Sequence, residues 1–396
     1  MSVPTRLLVA AVAAALLAGG PTATAAEPPP ATSGAAVLVV DARTGEEMHA
    51  MNAGRERPIA SVTKLMTALL TLERAELDDV FPAARYSASP VESKIGLAPG
   101  ERMTVRDLLT ALLLESANDA AATLAEGVAG SREAFVREMN RRAVTLGLHD
   151  TSYANPIGFD DPDNHSSAHD LAILARELLA NRDFARIVDR PMATLRSGAR
   201  TRVIDNRNVL VQRYPFVSGV KTGHTLGAGY VLVGSGAAGG ASVITVTLGA
   251  PSEAARDADT LALLRWGLEQ FRRVRVLRPG KVLARIDVDY RDEDAEVGAG
   301  RPVVLVLRRG EKAKTVLDAP DELDGPLAEG ERVGWVEVQR GERTVRRVAL
   351  VTLAEVEGAG LVRKVARTLG TLLIVAIVLG IVLAVILAMR RRRGNP

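Results

Sequence analysis

The sequence predicts an α/β domain followed by a small all-β domain, and three observations support this fold class. A strand hairpin near the start precedes a block of amphipathic helices, strand-like segments return after that block, and the last part of the chain is strand-like. Helices and strands have different hydrophobic periods, so each change of period marks a change of element type. We expect one sheet that takes strands from both ends of residues 34–272, with the helical block as an inserted lobe, and an all-β domain over residues 274–355.

The predicted elements follow one another in a simple order. A Pro-rich linker occupies residues 27–33, and a hairpin follows over residues 35–50. Beyond the first helix, which contains Ser61, amphipathic helical patterns cover Thr104–Glu115, Asn118–Glu126, Ser131–Leu146, His169–Leu179 and Glu253–Phe271. Strand patterns cover Val217–Lys221, Gly229–Ser235, Ala241–Leu248, Val303–Leu307 and the hairpin Arg332–Val351.

The two ends of the chain predict an exported protein that is anchored in a membrane. Residues 1–26 combine one arginine, an apolar core and small residues at the end, which is typical of a secretory signal peptide. Residues 369–389 form an uncharged apolar run long enough to cross the hydrocarbon core of a bilayer. The tail 390–396 follows directly, and its four arginines, residues 390–393, fit a cytoplasmic flank. We therefore expect a single-pass protein in the cell membrane, with its body outside the cytoplasm and its tail inside.

Composition excludes several classes of function. The net charge is +3 over 396 residues, and the arginines are spread along the chain, so the sequence predicts no basic patch that would bind nucleic acid. The chain has no cysteine, which excludes disulfides and thiolate metal sites.

Ser61 and Lys64 are the first candidate catalytic pair. Residues three apart lie on the same face of a helix, so the hydroxyl and the amine are neighbours if this segment is helical. The apolar positions around them recur at helical spacing: Val62, Leu65, Met66, Leu69 and Leu70. A serine needs a nearby base to act as a nucleophile. Lys64 can be that base only if desolvation or a neighbouring positive charge lowers its pKa.

Two further motifs supply partners for this pair. Ser116-Ala117-Asn118 lies between two predicted helices, where a loop can present a hydroxyl and a carboxamide to a cleft. Lys221-Thr-Gly223 lies on a predicted strand, where the glycine leaves room for a substrate backbone along the strand edge. Ser-x-x-Lys, Ser-x-Asn and Lys-Thr-Gly in this order are the three motifs of penicillin-recognising serine enzymes.

The chain resembles the D-alanyl-D-alanine carboxypeptidases among the low-molecular-mass penicillin-binding proteins, serine peptidase family S11. The similarity extends over residues 34–272 and includes the segments Ala60–Thr67, Glu115–Ala120, Asp163–Ala168, Asp170–Ala172 and Gly219–Thr225. It implies a β-lactamase/transpeptidase-like fold, with an antiparallel sheet flanked by helices and a helical lobe. Ala117 departs from the family, where glycine is usual, and we expect the loop to tolerate its methyl group unless positive φ is needed there.

The resemblance implies a role for each candidate residue. Ser61 would attack the carbonyl of the penultimate D-Ala of a peptidoglycan stem peptide, and neutral Lys64 would accept its proton. Lys221 would help to keep Lys64 neutral, Ser116 would relay the proton to the leaving D-Ala, and Asn118 would hold the substrate amide.

The resemblance also implies how the substrate is bound. The backbone N–H groups of Ser61 and His224 would form the oxyanion hole. The substrate-binding residues would be Lys221, Thr222, Gly223, His224 and Thr225. β-Lactam antibiotics would acylate Ser61 by the same route, and no metal or diffusible cofactor would be needed.

A metal site is the main alternative interpretation of the histidines. His165 and His169 are four residues apart and have several aspartates nearby. The first falls in a predicted loop and the second near a helix start, so the spacing does not place both on one helical face. Capping by Asn164, Ser166 and Asp170 explains the same polar residues without a metal.

Three functional alternatives stay open from the sequence. Glu177 and Asn181 have the spacing of the deacylation loop in class A β-lactamases, although Glu177 lies in a helical pattern and is better explained as a solvated helix face. An endopeptidase that cuts D-Ala cross-links would carry the same motifs. An anchored cell-wall-binding pseudoenzyme would be expected to have lost one of the motif residues, and all of them are present.

Overall fold

The computed structural model describes residues 27–291, 293–358 and 373–386. The predicted signal peptide and the predicted basic tail lie outside these residues. Of the predicted membrane span 369–389, residues 373–386 are helical, and its other positions are outside the described residues. Among the described residues, no helix combines the length and apolarity that crossing a bilayer requires.

The first and larger part of the structure is an α/β domain. Its strands are β1 (Ala36–Asp41), β2 (Glu47–Met51), β3 (Arg57–Pro58), β4 (Val80–Pro82), β5 (Arg102–Thr104), β6 (His165–Ser166), β7 (Met192–Leu195), β8 (Arg202–Asp205), β9 (Val217–Thr225), β10 (Gly229–Ala238) and β11 (Ala241–Ala250). Its helices are α1 (Lys64–Arg74), α2 (Val105–Thr110), α3 (Asn118–Ala129), α4 (Arg132–Leu146), α5 (Ala168–Ala180), α6 (Arg182–Val188), α7 (Val209–Arg213) and α8 (Glu253–Glu269). A 3₁₀ turn, Ala60–Thr63, leads into α1, and a π turn, Ala111–Glu115, ends α2.

One antiparallel sheet organises this domain. Its strand order is β2-β1-β11-β10-β9, so the N-terminal hairpin pairs with strands that come after the helical block. The prediction of a sheet built from both ends of the segment is therefore confirmed. Strand β1 explains why this pairing is stable. All six of its residues are buried, which requires cover on both faces of the sheet.

The two faces of β1 belong to two different cores. Val37 and Val39 pack with Leu263 and Leu264 of α8 on one face. Leu38 and its alternating neighbours pack into a larger core formed with the helical lobe on the other face. Successive side chains of a strand point to opposite faces, so one continuous apolar run can serve two cores. The sheet is thus fixed between α8 and the lobe, and the edge strand β9 is held beside the start of α1.

Several elements of the lobe differ from the predicted ones. Strands β7 and β8 and the short helices α6 and α7 fall where no element was predicted. Helix α2 begins after Thr104, whose hydroxyl accepts a hydrogen bond from Asp107 N as an N-cap. The predicted helix over Glu253–Phe271 ends at Glu269, because Phe271 begins a strand.

The C-terminal domain is all-β, as predicted. Its strands are β12 (Phe271–Leu277), β13 (Val282–Val288), β14 (Asp294–Ala299), β15 (Val303–Arg308), β16 (Ala313–Asp318), β17 (Glu322–Leu323), β18 (Arg332–Arg340) and β19 (Arg343–Thr352). Six of them form a sheet of order β16-β18-β19-β14-β13-β17, while β12 pairs with β15. Their inward side chains, such as Val336, Val338 and Leu350, form a core of their own.

Candidate active site

Ser61 and Lys64 are in direct contact at the start of α1. Ser61 lies in the 3₁₀ turn, and Lys64 is the first residue of the α-helix. The distance from Lys64 Nζ to Ser61 Oγ is 2.9 Å. The Lys64 side chain is fully buried, whereas Ser61 lines an open cleft. The Ser61 hydroxyl therefore lies at the cleft, and the Lys64 amine contacts it from the protein interior.

The environment of Lys64 favours its neutral form. Burial lowers the pKa of Lys64 well below its usual value, and the positive charges of Lys221 and Arg207 lower it further, while Glu92 acts in the opposite direction. Nζ also donates a hydrogen bond to the carbonyl oxygen of Ile157, at 2.6 Å. An amine that is hydrogen-bonded but desolvated can accept a proton from the neighbouring hydroxyl.

Lys221 is a second buried lysine, on β9. It is 1% exposed, and its Nζ donates a hydrogen bond to the carbonyl oxygen of Thr222, at 2.9 Å. Burial, followed by the positive charges of Arg207 and Arg256, lowers the pKa of Lys221 to about 7. The predicted effect of Lys221 on Lys64 is present, but burial of Lys64 contributes more than this repulsion.

Ser116 and Asn118 occupy the break between the π turn and α3. Ser116 has a left-handed conformation with φ of 63°, and it lines the cleft. Ala117 has φ of −61° and ψ of 119°, an extended conformation that any residue adopts. The methyl group of Ala117 is therefore accommodated without backbone strain, as expected if the residue does not need positive φ. Asn118 is 5% exposed, and its Nδ2 donates a hydrogen bond to Glu92 Oε2 at 2.9 Å.

Gly223 brings β9 close to the nucleophile. A Cβ at this position would lie 3.0 Å from Ser61 N and 2.8 Å from Val231 Cγ2. The sequence suggested that this glycine makes room for substrate. The contacts show that it makes room for the 3₁₀ turn itself, which lets the strand edge and Ser61 share one wall of the cleft.

Gly158 is a residue of the site that the sequence analysis missed. Its φ is +99°, and a Cβ there would lie 1.9 Å from the carbonyl oxygen of Ala60. Asn155 Oδ1 accepts hydrogen bonds from three backbone N–H groups, those of Ile157, Gly158 and Phe159, and so fixes this loop. The loop in turn holds both Lys64, through the carbonyl of Ile157, and the turn of Ser61. The Asn-Pro-x-Gly cluster at residues 155–158 is a turn signal, and a turn signal alone does not indicate that the loop lies against Ser61.

The cleft in front of Ser61 has a volume of about 510 Å³. Its lining includes Ser61, Ser116, Thr222, Gly223 and His224, together with Val91, Ser93, Arg207, Tyr230, Glu253 and Arg256. The structure thus brings the serine of each serine motif and two residues of the strand motif, Thr222 and Gly223, to one cavity. The two arginines were not predicted, because one lies in a loop and the other in a helix that was interpreted only as a structural element.

Arg256 is the more unusual of the two arginines. It is 3% exposed, and its NH2 group is hydrogen-bonded to Glu253 and Asp257 at 2.9 and 2.7 Å. The two carboxylates fix the position of the Arg256 guanidinium at the wall of the cleft and compensate its charge.

His224 and Thr225 differ in their relation to the cleft. The His224 ring lines it and stacks on Tyr230, with ring centroids 4.0 Å apart. The Thr225 hydroxyl donates to Asp160 Oδ1 at 2.5 Å and accepts from Ala228 N at 3.0 Å, so it stabilises the β9–β10 turn. Its predicted part in substrate binding would require these bonds to rearrange.

The residues considered for the alternative functions each have another partner in the structure. His165 Nδ1 is 3.1 Å from the carbonyl oxygen of Pro162, and His169 Nε2 is 3.0 Å from Glu47. Within residues 27–291, 293–358 and 373–386, no group of three or more His, Asp or Glu is arranged to hold a metal. Glu177 lies in α5 and faces Arg142 at 3.6 Å, while Asn181 caps α6.

Comparison with known proteins gives consistent matches over both domains. The family model described as D-alanyl-D-alanine carboxypeptidase matches residues 22–252, and that of the C-terminal domain of penicillin-binding protein 5 matches residues 271–358. The chain is 35% identical over 337 residues to the D-alanyl-D-alanine carboxypeptidase DacD of Escherichia coli, covering 81% of this chain and 86% of that protein. It is 29% identical to DacF of Bacillus subtilis, covering 85% and 89%.

Solved structures show the same similarity. Penicillin-binding protein 6B from Escherichia coli is 31% identical, with a TM-score of 0.60, and the match covers 83% of this chain and 98% of that one. Penicillin-binding protein 5 from Haemophilus influenzae is 27% identical, also with a TM-score of 0.60, and the match covers 84% and 99%. The similarity therefore includes the α/β domain and the all-β domain together.

Proposed function

The chain belongs to the D-alanyl-D-alanine carboxypeptidase family, peptidase S11, and we propose that Ser61 is the nucleophile of its reaction. It is a serine D-Ala-D-Ala carboxypeptidase. The observation that carries the assignment of Ser61 is its contact with the buried amine of Lys64, at 2.9 Å.

Acylation begins with proton transfer from Ser61 to Lys64. Oγ attacks the carbonyl of the penultimate D-Ala as Nζ takes the hydroxyl proton, forming a tetrahedral intermediate. The backbone N–H groups of Ser61 and His224 stabilise the developing oxyanion. The close packing at Gly223 supports this assignment, because it places the strand edge against the turn of Ser61.

The leaving D-Ala must be protonated at its amine and bound through its carboxylate. Ser116, at the cleft wall, relays the proton from Lys64 to the amine of the departing D-Ala. The terminal carboxylate of the substrate is received by Lys221 and Thr222, with Arg256 as an additional cation at the same wall. Asn118 holds the amide that precedes the scissile bond. Water then hydrolyses the acyl-enzyme, and Ser61, Ser116 and Lys64 return to their initial protonation states.

The natural substrate in this proposal is the pentapeptide stem of peptidoglycan, and β-lactams are covalent inhibitors that acylate Ser61. The endopeptidase and β-lactamase alternatives have less support, because the relatives are named as carboxypeptidases and Glu177 is on the surface.

A fluorescent penicillin and a synthetic pentapeptide test the assignment together. The wild-type protein should be labelled and should release D-Ala, whereas Ser61→Ala should do neither. Ser93→Ala, which removes a different hydroxyl at the same cleft, is the matched control and should stay labelled. Labelling or D-Ala release by Ser61→Ala contradicts the proposal.

We also propose a location and an organisation for the chain. Residues 1–26 direct export and are removed, residues 34–272 and 274–355 form the two extracytoplasmic domains, and residues 369–389 anchor them in the cell membrane. The apolar pattern of both ends and the charges of residues 390–396 support this. Protease added to intact wall-free cells should digest the body; a protected body contradicts the orientation.

A further inference from the structure

Glu92 connects a loop at the cleft to a side chain of the active site. Its Oε2 accepts hydrogen bonds from the Tyr86 hydroxyl and from Asn118 Nδ2, the latter at 2.9 Å. Its Oε1 accepts a hydrogen bond from Ser89 N at 2.8 Å. Both oxygens of the carboxylate are therefore used, and each bond constrains where the carboxylate lies.

The loop that carries Glu92 is docked on the beginning of α3. Asn118 N donates to the carbonyl oxygen of Ser93 at 2.8 Å. Asp119 accepts from Ile95 N and Leu97 N, at 3.2 and 3.0 Å. These three hydrogen bonds fix the loop position without Glu92. The Glu92 side chain is thus not required simply to attach the loop, and its contact with the Asn118 carboxamide calls for another explanation.

The chemistry of the two groups supplies that explanation. A carboxamide has nearly the same shape after its N and O ends are exchanged, so packing alone does not select one orientation. An ionised carboxylate only accepts hydrogen bonds. Facing Glu92, Asn118 must present its NH2 end, because the flipped orientation would place Oδ1 against Oε2.

We propose that Glu92 is a positioning residue for the carboxypeptidase reaction, one that fixes the orientation in which the Asn118 carboxamide meets the substrate amide. This inference rests on the proposed function of Asn118. It goes beyond the three motifs, because Glu92 belongs to none of them and acts through one of their members.

The ionisation of Glu92 fits this role. Burial opposes its charge, but the hydrogen bonds from Tyr86, Asn118 and Ser89 N outweigh burial and hold the pKa of Glu92 below its usual value. The same charge raises the pKa of Lys64, against the effects of burial, Lys221 and Arg207. Removal of the charge should therefore lower the pKa of Lys64. This gives a readout that a purely structural role would not produce.

The test compares Glu92→Gln with the wild type in acylation by a fluorescent penicillin between pH 5 and pH 10. Glutamine keeps the size of the side chain and removes its charge, so either end of the Asn118 amide can face it. We expect a loss of about tenfold in the second-order acylation rate, the size expected for one misplaced hydrogen bond. We also expect the acid limb of the pH profile to move down by about half a pH unit, because a negative charge near the buried Lys64 amine is removed.

Two control variants separate orientation from packing and charge. Tyr86→Phe removes the other hydrogen bond to Oε2 and keeps the contact with Asn118, so its pH profile should match that of the wild type. Glu177→Gln removes a carboxylate on α5, and should change neither rate nor profile. If Glu92→Gln behaves like Glu177→Gln, the proposal is overturned. A slower Glu92→Gln variant with an unmoved acid limb and a lower unfolding temperature would also overturn it, in favour of a structural role.

A reciprocal exchange tests orientation directly. Asn118→Asp alone places two carboxylates together and should lower the unfolding temperature. In Glu92→Gln/Asn118→Asp the hydrogen bond can re-form with its direction reversed, so the unfolding temperature should recover while acylation stays slow. Recovery of acylation by the double variant would overturn the proposal, since the orientation of the amide would then not matter.

The same assay distinguishes a failure of the proposed function from a failure of the proposal for Glu92. Labelling and D-Ala release by the wild-type protein test the proposed function, and their absence would overturn both inferences. With an active wild type, only the Glu92 variants decide whether Glu92 positions Asn118.

Discussion

The cleft of the α/β domain disfavours the charged form of its lysines, whereas the outer surface of the all-β domain favours the charged form of an arginine. Lys64 and Lys221 are buried at the cleft, where burial lowers the pKa of each. On β13, Arg285 pairs with Glu296 at 2.8 Å, and both side chains are largely exposed. The hydrogen bond and charge of Glu296 raise the pKa of Arg285. The cleft thus destabilises its charges, whereas the surface stabilises them.

The difference separates a functional charge from a solvated one. Moving a lysine out of water disfavours its charged form, and folding stability must supply that free energy. An exposed ion pair contributes little, because water screens both partners. The burial of two lysine side chains near one reactive hydroxyl distinguishes the site from the surface. The following predictions test this contrast in order of expected effect.

Removal of the buried base should have the largest effect. In Lys64→Ala, Ser61 loses the only amine in hydrogen-bond contact with it among the described residues. We expect the rate of acylation to fall by at least about 10³-fold, the contribution of a general base together with nucleophile positioning. Stopped-flow measurement with a penicillin checks this. A loss of less than about tenfold would mean that another group takes the proton.

Gly158→Ala should distort the cleft through backbone contacts alone. The new Cβ would overlap the carbonyl group of Ala60, in a conformation with φ of +99° that alanine rarely adopts. We expect a destabilisation of about 2–4 kcal/mol, measured by urea unfolding, and a large loss of acylation. Gly130→Ala is the control. Its φ is +78° but it has open space around it, so only the strain of about 1 kcal/mol should appear.

The pH dependence of stability should reveal the buried lysines. With a folded-state pKa of about 7, Lys221 loses its proton in the folded protein while the unfolded chain still binds it, up to the usual lysine pKa. Unfolded protein then binds one more proton at this residue, so Lys221 makes stability rise with pH between about 7 and 10 by at most about 1.4 kcal/mol per pH unit. Lys221→Met should remove this contribution from the pH dependence of chemical unfolding curves. An unchanged slope would show that Lys221 keeps its charge.

The smallest effect is expected on the all-β domain. Arg285→Ala removes an exposed ion pair, and we expect the unfolding temperature of this domain to change by no more than about 4 °C. Differential scanning calorimetry at low and high salt checks this. A large, salt-sensitive decrease would show that the surface pair is as important to stability as the cleft residues are.

The sequence was sufficient for the parts of the site that local spacing determines. Ser61 and Lys64 are three residues apart on one helical face, and the Ser116 and Lys221 motifs are short and specific in their order. The sheet built from both ends of the first domain and the all-β domain were likewise predicted, because their strands are apolar runs bounded by turn residues.

The missed parts depend on contacts between distant segments. Lys64 meets Ile157 across 93 positions of sequence, and Gly158 is needed only because Ala60 lies against it. Arg256 belongs to α8, whose pattern predicts a helix without indicating that this residue faces a cleft. Glu92 was not singled out at all, since one glutamate in a loop carries no spacing signal. Each of these becomes visible only when the fold places it.

The strand order has a consequence for how the protein acquires its activity during synthesis. Strand β1 pairs with β11, more than 200 residues later, and Lys221 is delivered by a strand of the same late group. The N-terminal hairpin cannot pair with β11 until residues 241–250 have been synthesised. Because the two strands are so far apart in sequence, this pairing forms late. A nascent chain that already contains Ser61 is therefore not yet an enzyme. The pairing of β1 with β11 and the position of Lys221 on β9 mean that the catalytic arrangement is complete only when the sheet is complete.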